Sequence, residues 1–450
     1  SPIALPDSRF PAHSEEILIP TGALDYYFTM LSQVENQVEG TVARALVWGD
    51  STIASDGIIK DVRNRMFDEF GDSGPGFLAV HVDPRWSLRR DIYRKPSRGW
   101  STSTIVHGGS ASDNYGLAGT VSHTSTDAYS VLAGPKREDG RQEIKRVQVF
   151  YETAPNGGSF SVEMVDRKEI KNTKSSERTE GYMEVSSGGG RQVTLQAHGD
   201  GDVTIYGVAL ENNQTGVTWE TFGVAGSSVQ SMKKQSRSHL HTQVVHRNPS
   251  LIVYWTGGNE LGYPSLRSST GKGYKKVYRN TVQRLRSGAP TASCLLIGPL
   301  DQATRERGEI ISKPTLEKLI RFQKEVAEEI GCAYWDARSA MGGKGSFKRW
   351  LQNDPPYANS DLAHLTGRGR RVIGETLADM LMYSYHNWKV DNPELQWSPE
   401  ESIRDYPLHM NFLESLPADY LPPLQEELGP ECDILVRSDS EPTKMNIGNK

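Results

Sequence analysis

Four largely apolar runs punctuate the chain, and each ends in a cluster of small residues: Val42 to Trp48 before Gly-Asp-Ser, Val217 to Val224 before Ala-Gly-Ser-Ser, Leu251 to Trp255 before Thr-Gly-Gly-Asn-Glu, and Cys294 to Ile297 before Gly-Pro-Leu-Asp. Near-continuous apolar runs of this length predict strands buried on both faces of a parallel sheet. Helical spacing lies between them. Ile59, Val62, Met66, Phe67 and Phe70 share one face of a stretch over 59–70, and Leu316, Leu319, Ile320, Phe322, Val326 and Ile330 do the same over 315–330. Strands alternating with helices predict a doubly wound α/β layer.

From about 84 to 214 the rhythm changes. Short alternating runs at Val147 to Tyr151, Phe160 to Val165, Val193 to Ala197 and Val203 to Leu210 are separated by Gly, Asn and Ser turns, the pattern of a β-sandwich. Ser186 to Gln192, with three consecutive glycines, reads as a hairpin turn. The β-rich block therefore interrupts the α/β unit, dividing the chain into 20–83, an inserted sandwich at 84–214, a second α/β part at 215–385 and a proline-rich acidic extension at 386–450. That extension shows neither period and reads as a wrapping or mobile tail, or as an irregular segment packed through Trp397, Tyr406, Phe412 and Tyr420.

Composition narrows the partners. The chain has 450 residues, enough for two or three domains, and its formal charge of −5 offers no polycationic face for a phosphate backbone. Nucleic acid is thereby disfavoured. Cys294, Cys332 and Cys432 are widely spaced and show no metal-ligand pattern, which argues against both a zinc site and a disulfide framework. No run approaches the roughly 20 apolar residues of a membrane span. The sequence begins Ser-Pro without an initiator Met, as a trimmed or mature product would.

The candidate chemistry starts at Gly49-Asp50-Ser51. A strand followed by this triplet and then a helix places Ser51 at the carboxyl edge of the sheet, where open α/β folds bind ligands; a helix cap by Asp50 or Ser51 is the alternative. A hydroxyl needs a base to take its proton, and a histidine held in one tautomer by a carboxylate supplies it. Asp361 and His364, just before a helical pattern at Thr366 to Leu381, have spacing that lets one turn of chain present both side chains to one side. Donors for a developing oxyanion are available from the amides of Ser51 and Gly226 and from the side-chain NH2 of Asn259. Asp50 and Gly258, in the same blocks, are supporting residues.

These blocks, in order GDS, AG, GGNE and DLAH, resemble the SGNH/GDSL hydrolase family over about residues 20 to 385. Thr52 stands where that family often has Leu, and Glu260 follows Asn259 where Asp is usual. LDYYFTMLSQVE, ALVWGDSTIASDGI and FDEFGDSGPGFL, with a sandwich inserted between the serine and glycine blocks, look most like the bacterial peptidoglycan O-acetylesterases with a carbohydrate-binding-module-like insert. The resemblance implies a three-layer α/β/α fold around a central parallel sheet. It implies Ser51 as nucleophile, His364 as general acid/base, Asp361 as its orienter, and Ser51, Gly226 and Asn259 around the oxyanion. It further implies an O-acetylated glycan as substrate, a periplasmic or extracellular location, and no metal or organic cofactor. The same groups would serve an O-acetyltransferase or a deacetylase of another polysaccharide, and a non-catalytic glycan-binding protein is the further alternative.

Trp86, Trp100, Tyr115, Tyr129 and Tyr182 could stack on sugar rings or fill the sandwich core. His239, His241 and His246, in a polar helical stretch without the spacing of a metal site, read as surface residues. Lys344, Lys348 and Arg349 lack the spacing of a phosphate loop and read as a surface loop.

Overall fold

The computed structural model describes residues 1–109, 114–138 and 140–393. Its centre is a five-stranded parallel sheet in the order Gly216–Gly223, Val42–Gly49, Leu251–Trp255, Ser293–Ile297, Ala333–Trp335. All four pairings are parallel, with Gly49 opposite Gly223 on one side and Trp255 on the other. The apolar character of the runs has a direct cause: side chains alternate between two buried faces. Ala45 and Val47 pack toward helices Asp25–Glu35, Ile59–Phe70 and Gly367–Asp391, whereas Leu46 and Trp48 pack toward Arg237–Arg247, Lys272–Arg286 and Leu316–Glu329. The result is the three-layer α/β/α arrangement expected from the sequence. Because successive strands depart from Val42–Gly49 to opposite sides, its carboxyl end lies at the switch point of the sheet, where a crevice opens.

Two antiparallel sheets account for the alternating runs. One has the order Lys168–Asn172, Ser159–Glu163, Val193–Ala197, Tyr129–Ala133, Tyr93–Pro96; the other Thr179–Gly190, Ile144–Thr153, Val203–Glu211, Thr120–Thr124, Ser101–Thr104, with Gly76–Leu78 added on Val203–Glu211. Leu132, Phe160 and Leu195 from the first meet Val147, Val149 and Ile205 from the second in a shared core.

Several expectations are corrected. Ser186 to Gln192 is not a hairpin turn: Thr179–Gly190 pairs with Ile144–Thr153 in one sheet, and Val193–Ala197 pairs with strands of the other, so the glycines carry the chain between sheets. The helix begun at Gly367 runs on to Asp391, past residue 385, because Trp388 packs on Phe28 and donates its indole N–H to Asp25. The remainder of the expected extension, from 394 on, lies outside the described residues. Cys294 and Cys332 form a disulfide, their Cα atoms 4.8 Å apart, since the parallel pairing that sets Leu295 opposite Ala333 brings the residues just before them together. His239 is buried rather than superficial, its Nδ1 2.7 Å from Glu180. His246 remains exposed and stacks on Tyr182 at 3.9 Å. Residues Ser346–Gln352, within the expected surface loop, form a short helix whose Lys348 meets Glu309.

A buried ionic network joins the two regions. Glu220, on a strand of the parallel sheet, accepts from Arg247 and from the amide of Phe77; Arg247 also bonds Gln148 and lies 2.9 Å from Glu211, which in turn meets Arg44 at 3.0 Å and Arg146. Burial alone would raise the Glu211 carboxyl, but the guanidinium groups of Arg247, Arg44 and Arg146 outweigh it and hold the group well below the usual carboxylate range.

Candidate active site

The strand Val42–Gly49 delivers its C-terminal residues into a one-turn helix, Ser51–Ala54, capped by Asp50, whose Oδ1 accepts from the Thr52 amide at 2.9 Å. Gly49 permits this tight junction: a Cβ there would stand 2.3 Å from Ile53 Cγ1 and 2.6 Å from the Trp255 carbonyl. The cap and the nucleophile candidate are thus two neighbouring residues with separate tasks. Asp50 is buried; burial pushes its carboxyl up, and the Thr52 and Gly258 amides oppose that rise.

Ser51 Oγ lies 2.9 Å from His364 Nε2, and His364 Nδ1 lies 2.8 Å from Asp361 Oδ2. The other Asp361 oxygen accepts from the amides of Ala363 and His364, both at 2.9 Å. Burial would raise Asp361, but these amides and the imidazole prevail and hold its carboxyl below its ordinary value. An ionised Asp361 accepts the Nδ1 proton, so Nε2 presents its lone pair to the Ser51 hydroxyl. The loop bearing the pair is fixed by the Asn359 amide donating to the His364 carbonyl at 2.8 Å and by the Ala303 amide donating to the Leu362 carbonyl at 2.9 Å. The His364 and Asp361 side chains are 45 % and 49 % exposed, so water reaches them.

The glycine and asparagine blocks converge on the same edge. Gly226 has φ +81°, a left-handed turn that glycine adopts without strain, and only Val106 lies close to where a Cβ would be. The turn is held to the serine strand by the Val224 amide and the Ser227 hydroxyl, both donating to the Gly49 carbonyl. Asn259 donates one Nδ2 hydrogen to the Ser227 carbonyl at 2.8 Å, which leaves its second hydrogen for another acceptor. Glu260 points inward, fully buried, and accepts from the Val229 amide and the Thr256 hydroxyl. Burial, reinforced by Asp50, pushes its carboxyl up to about 7.

Three residues at this edge were not singled out from the sequence. Gln302 comes so close to Gly258 that a Cβ there would be 2.5 Å from its Nε2, and Lys313 donates to Gln302 Oε1 at 2.8 Å. His107 stacks on Trp86 at 4.9 Å beside the Gly226 turn, where the Ala225 amide donates to the Trp86 carbonyl. The Gly-Pro-Leu-Asp turn before Gln302 was a usable signal, since it ends a core strand; His107 had none. Of the aromatic candidates, Trp100 and Tyr115 are core residues, whereas Tyr129 is exposed at 38 % and Trp86 is partly exposed beside the crevice.

Residues 179–372 match the GDSL-like lipase/acylhydrolase family, a span that includes Gly226, Asn259, Asp361 and His364 and begins after Ser51. No curated protein sequence matches significantly. Among solved structures, a peptidoglycan O-acetylesterase superposes with a TM-score of 0.68 at 21% identity, covering 82% of this chain and 98% of that one. A family two carbohydrate esterase from Cellvibrio japonicus matches at 10% identity over 66% of this chain and 99% of that one, with a TM-score of 0.24. A catalytic mutant of an acetylxylan esterase from Geobacillus stearothermophilus matches at 14% identity over 38% and 75%, with a TM-score of 0.28. At such identities the likeness is one of fold, and only the first superposition is close enough to carry it. Residues 179–372 thus resemble a GDSL-like lipase/acylhydrolase domain, the chain has the three-layer α/β/α fold of an SGNH hydrolase, and the two likenesses together support a carboxylic ester hydrolase.

Proposed function

We propose that this esterase removes O-acetyl groups from a glycan, namely peptidoglycan, through a Ser51–His364–Asp361 triad and an acetyl-enzyme. The observation that carries the reading is the continuous hydrogen-bonded relay from Ser51 Oγ through the imidazole to Asp361, at 2.9 and 2.8 Å. Ser51 attacks the acetyl carbonyl as its proton passes to His364 Nε2, and Asp361 stabilises the imidazolium. The developing oxyanion takes hydrogen bonds from the Ser51 and Gly226 amides and from the free hydrogen of Asn259. The sugar hydroxyl leaves with the proton from His364, water then attacks the acetyl-enzyme, and acetate is released. The exposure of the relay to solvent favours water over a second sugar as acceptor. The structural likeness to a peptidoglycan O-acetylesterase supports the substrate.

In the same reading, residues 20–83 and 215–385 form the hydrolase unit, to which the last helix adds residues up to Asp391; 84–214 form a carbohydrate-binding-module-like insert that also takes Gly76–Leu78 into one of its sheets, and the extension follows the helix. Periplasmic or extracellular placement is supported by the Cys294–Cys332 bridge, which persists in oxidising compartments. The deciding experiment measures acetate release from O-acetylated peptidoglycan beside acetylated xylan, and acetyl transfer to a glycan acceptor. Preferential release from peptidoglycan is expected. Dominant transfer would make the protein an O-acetyltransferase, and preference for xylan would reassign the substrate.

A further inference from the structure

A cavity of about 590 Å³ opens where the chain leaves the two blocks that hold Ser51 and His364. Its walls come from the start of helix Ile59–Phe70, from Arg90, and from the first turn of helix Gly367–Asp391. Tyr357 closes one side; the Thr366 amide donates to the Tyr357 carbonyl, so this wall and the His364 loop are one folded piece. Apart from Tyr357, the cavity thus takes its walls from the segments that follow Ser51 and His364 in the chain.

The charged lining is Lys60, Arg90, Arg368, Arg370, Arg371 and a single acid, Asp61. Asp61 is shared, since Lys60 Nζ lies 3.7 Å from it and Arg371 also acts on it. Among the described residues, the other three guanidinium groups have no carboxylate partner. Arg90 Nε donates to the Ser55 carbonyl at 2.8 Å, Arg368 sits 5.0 Å over the Tyr357 ring, and Arg370 Nε is buried with no hydrogen-bond partner. Three arginines buried elsewhere are each paired with an acid: Arg63 has Asp56 at 2.7 Å, Arg247 has Glu220, and Arg338 has Asp301 at 2.9 Å. Burial lowers the Arg370 guanidinium, and the nearby Arg90 charge lowers it further, so the two cations repel across the cavity. Gly57 lets them meet there, because a Cβ at that position would stand 2.5 Å from Arg370 Nε. Five like charges gathered around a single, already shared acid are stabilised by an anion from outside. The volume suits a saccharide-sized group.

We propose that this cavity is an anionic subsite in which Arg90, Arg368 and Arg370 bind a carboxylate carried by the glycan beside the acetylated sugar. The inference rests on the acetylesterase reading and sharpens it: the substrate is an acidic polymer, recognised by its charge as well as its ester. That carboxylate sits either on the sugar itself or on a peptide attached to it.

The test compares the wild type with the Arg90→Gln, Arg370→Gln double variant on four substrates: O-acetylated peptidoglycan, the same material stripped of peptides by an amidase, neutral acetylated xylan and 4-nitrophenyl acetate. The double variant is expected to raise the KM for peptidoglycan about tenfold or more, an effect that fades in ~0.5 M salt, while turnover of the chromogenic ester stays within about twofold. Retention of the arginine dependence on stripped glycan locates the carboxylate on the sugar, and its loss locates it on the peptide. An unchanged KM for peptidoglycan in a folded double variant overturns the subsite while leaving the esterase reading intact. Wild-type enzyme that cleaves xylan but not peptidoglycan overturns the subsite and the peptidoglycan substrate together, while the ester chemistry stands. Arg368→Gln, at an exposed position, carries the same comparison if the double variant melts early.

Discussion

The crevice end of the parallel sheet and the seam between that sheet and the antiparallel pair are both rich in charged and polar groups, yet they are built on opposite principles. At the crevice, Asp361 and His364 stand about half exposed on a loop beyond the strand ends, and nothing in the core depends on them. At the seam, Glu220 and Arg247 are fully buried and tie together a core strand, a helix and the antiparallel sheet. At the first place, water solvates whatever a missing side chain leaves behind. At the second, removing one partner strands a charge in a low-dielectric interior. On the proposed mechanism, rate and stability are encoded in different parts of the molecule, and substitutions separate them.

The largest expected effect is at the crevice. Ser51→Ala should lower kcat for an acetyl ester by roughly 10⁴-fold or more, with the melting temperature unchanged; a variant that retains turnover removes Ser51 from the chemistry. At the seam, Arg247→Ala should cost about 3–5 kcal/mol of unfolding free energy while leaving kcat of the remaining folded enzyme near wild type, as chemical denaturation with parallel kinetics would reveal. Back at the crevice, Asn259→Ala should lose about 10²- to 10³-fold in kcat with little change in KM, and an effect confined to KM would remove it from the oxyanion site.

Glu260 sharpens the comparison because it lies behind the crevice yet behaves like a seam residue. Its carboxyl is raised to about 7, above the value it would have in an unfolded chain. Below roughly pH 4.5 both states hold the proton and folding loses nothing; as pH rises toward 7 the unfolded chain ionises while the folded one cannot, and stability falls. Glu260→Gln removes that titration. Its stability relative to wild type should thus increase from pH 5 to pH 8.5, by at most about 3 kcal/mol, in paired thermal melts. An offset that does not change with pH would show that Glu260 keeps its charge inside the fold.

The two regions also differ in how well the sequence announced them. Strands buried on both faces leave an unmistakable apolar run, and the small-residue turns after them pointed to Ser51, Gly226 and Asn259; the partner of Ser51 was found by asking what a hydroxyl needs. The final strand, Ala333–Trp335, has only three residues and no readable period. The Cys294–Cys332 bridge depends on strand order rather than spacing, so 38 positions of separation concealed it. Ser186 to Gln192 has the residues of a hairpin turn, but turn chemistry does not say which sheet the next strand joins. The cationic cavity was hidden for a related reason: Arg90 and Arg370 are distant in sequence, and only the fold makes them neighbours.

The strand that carries Ser51 is second in the sheet, yet both strands that flank it, Gly216–Gly223 and Leu251–Trp255, are made only after the antiparallel sheets are complete. Gly76–Leu78 pairs with Val203–Glu211 and Asp72 bridges to Val217, so assembly of those sheets draws together the two ends of the long excursion. The excursion thus acts as a splint, exchanging one large loop closure for a series of shorter ones. The order of the chain has a further consequence: Ser51 is made long before His364, so the hydrogen bond between them cannot form until both parts of the α/β unit exist.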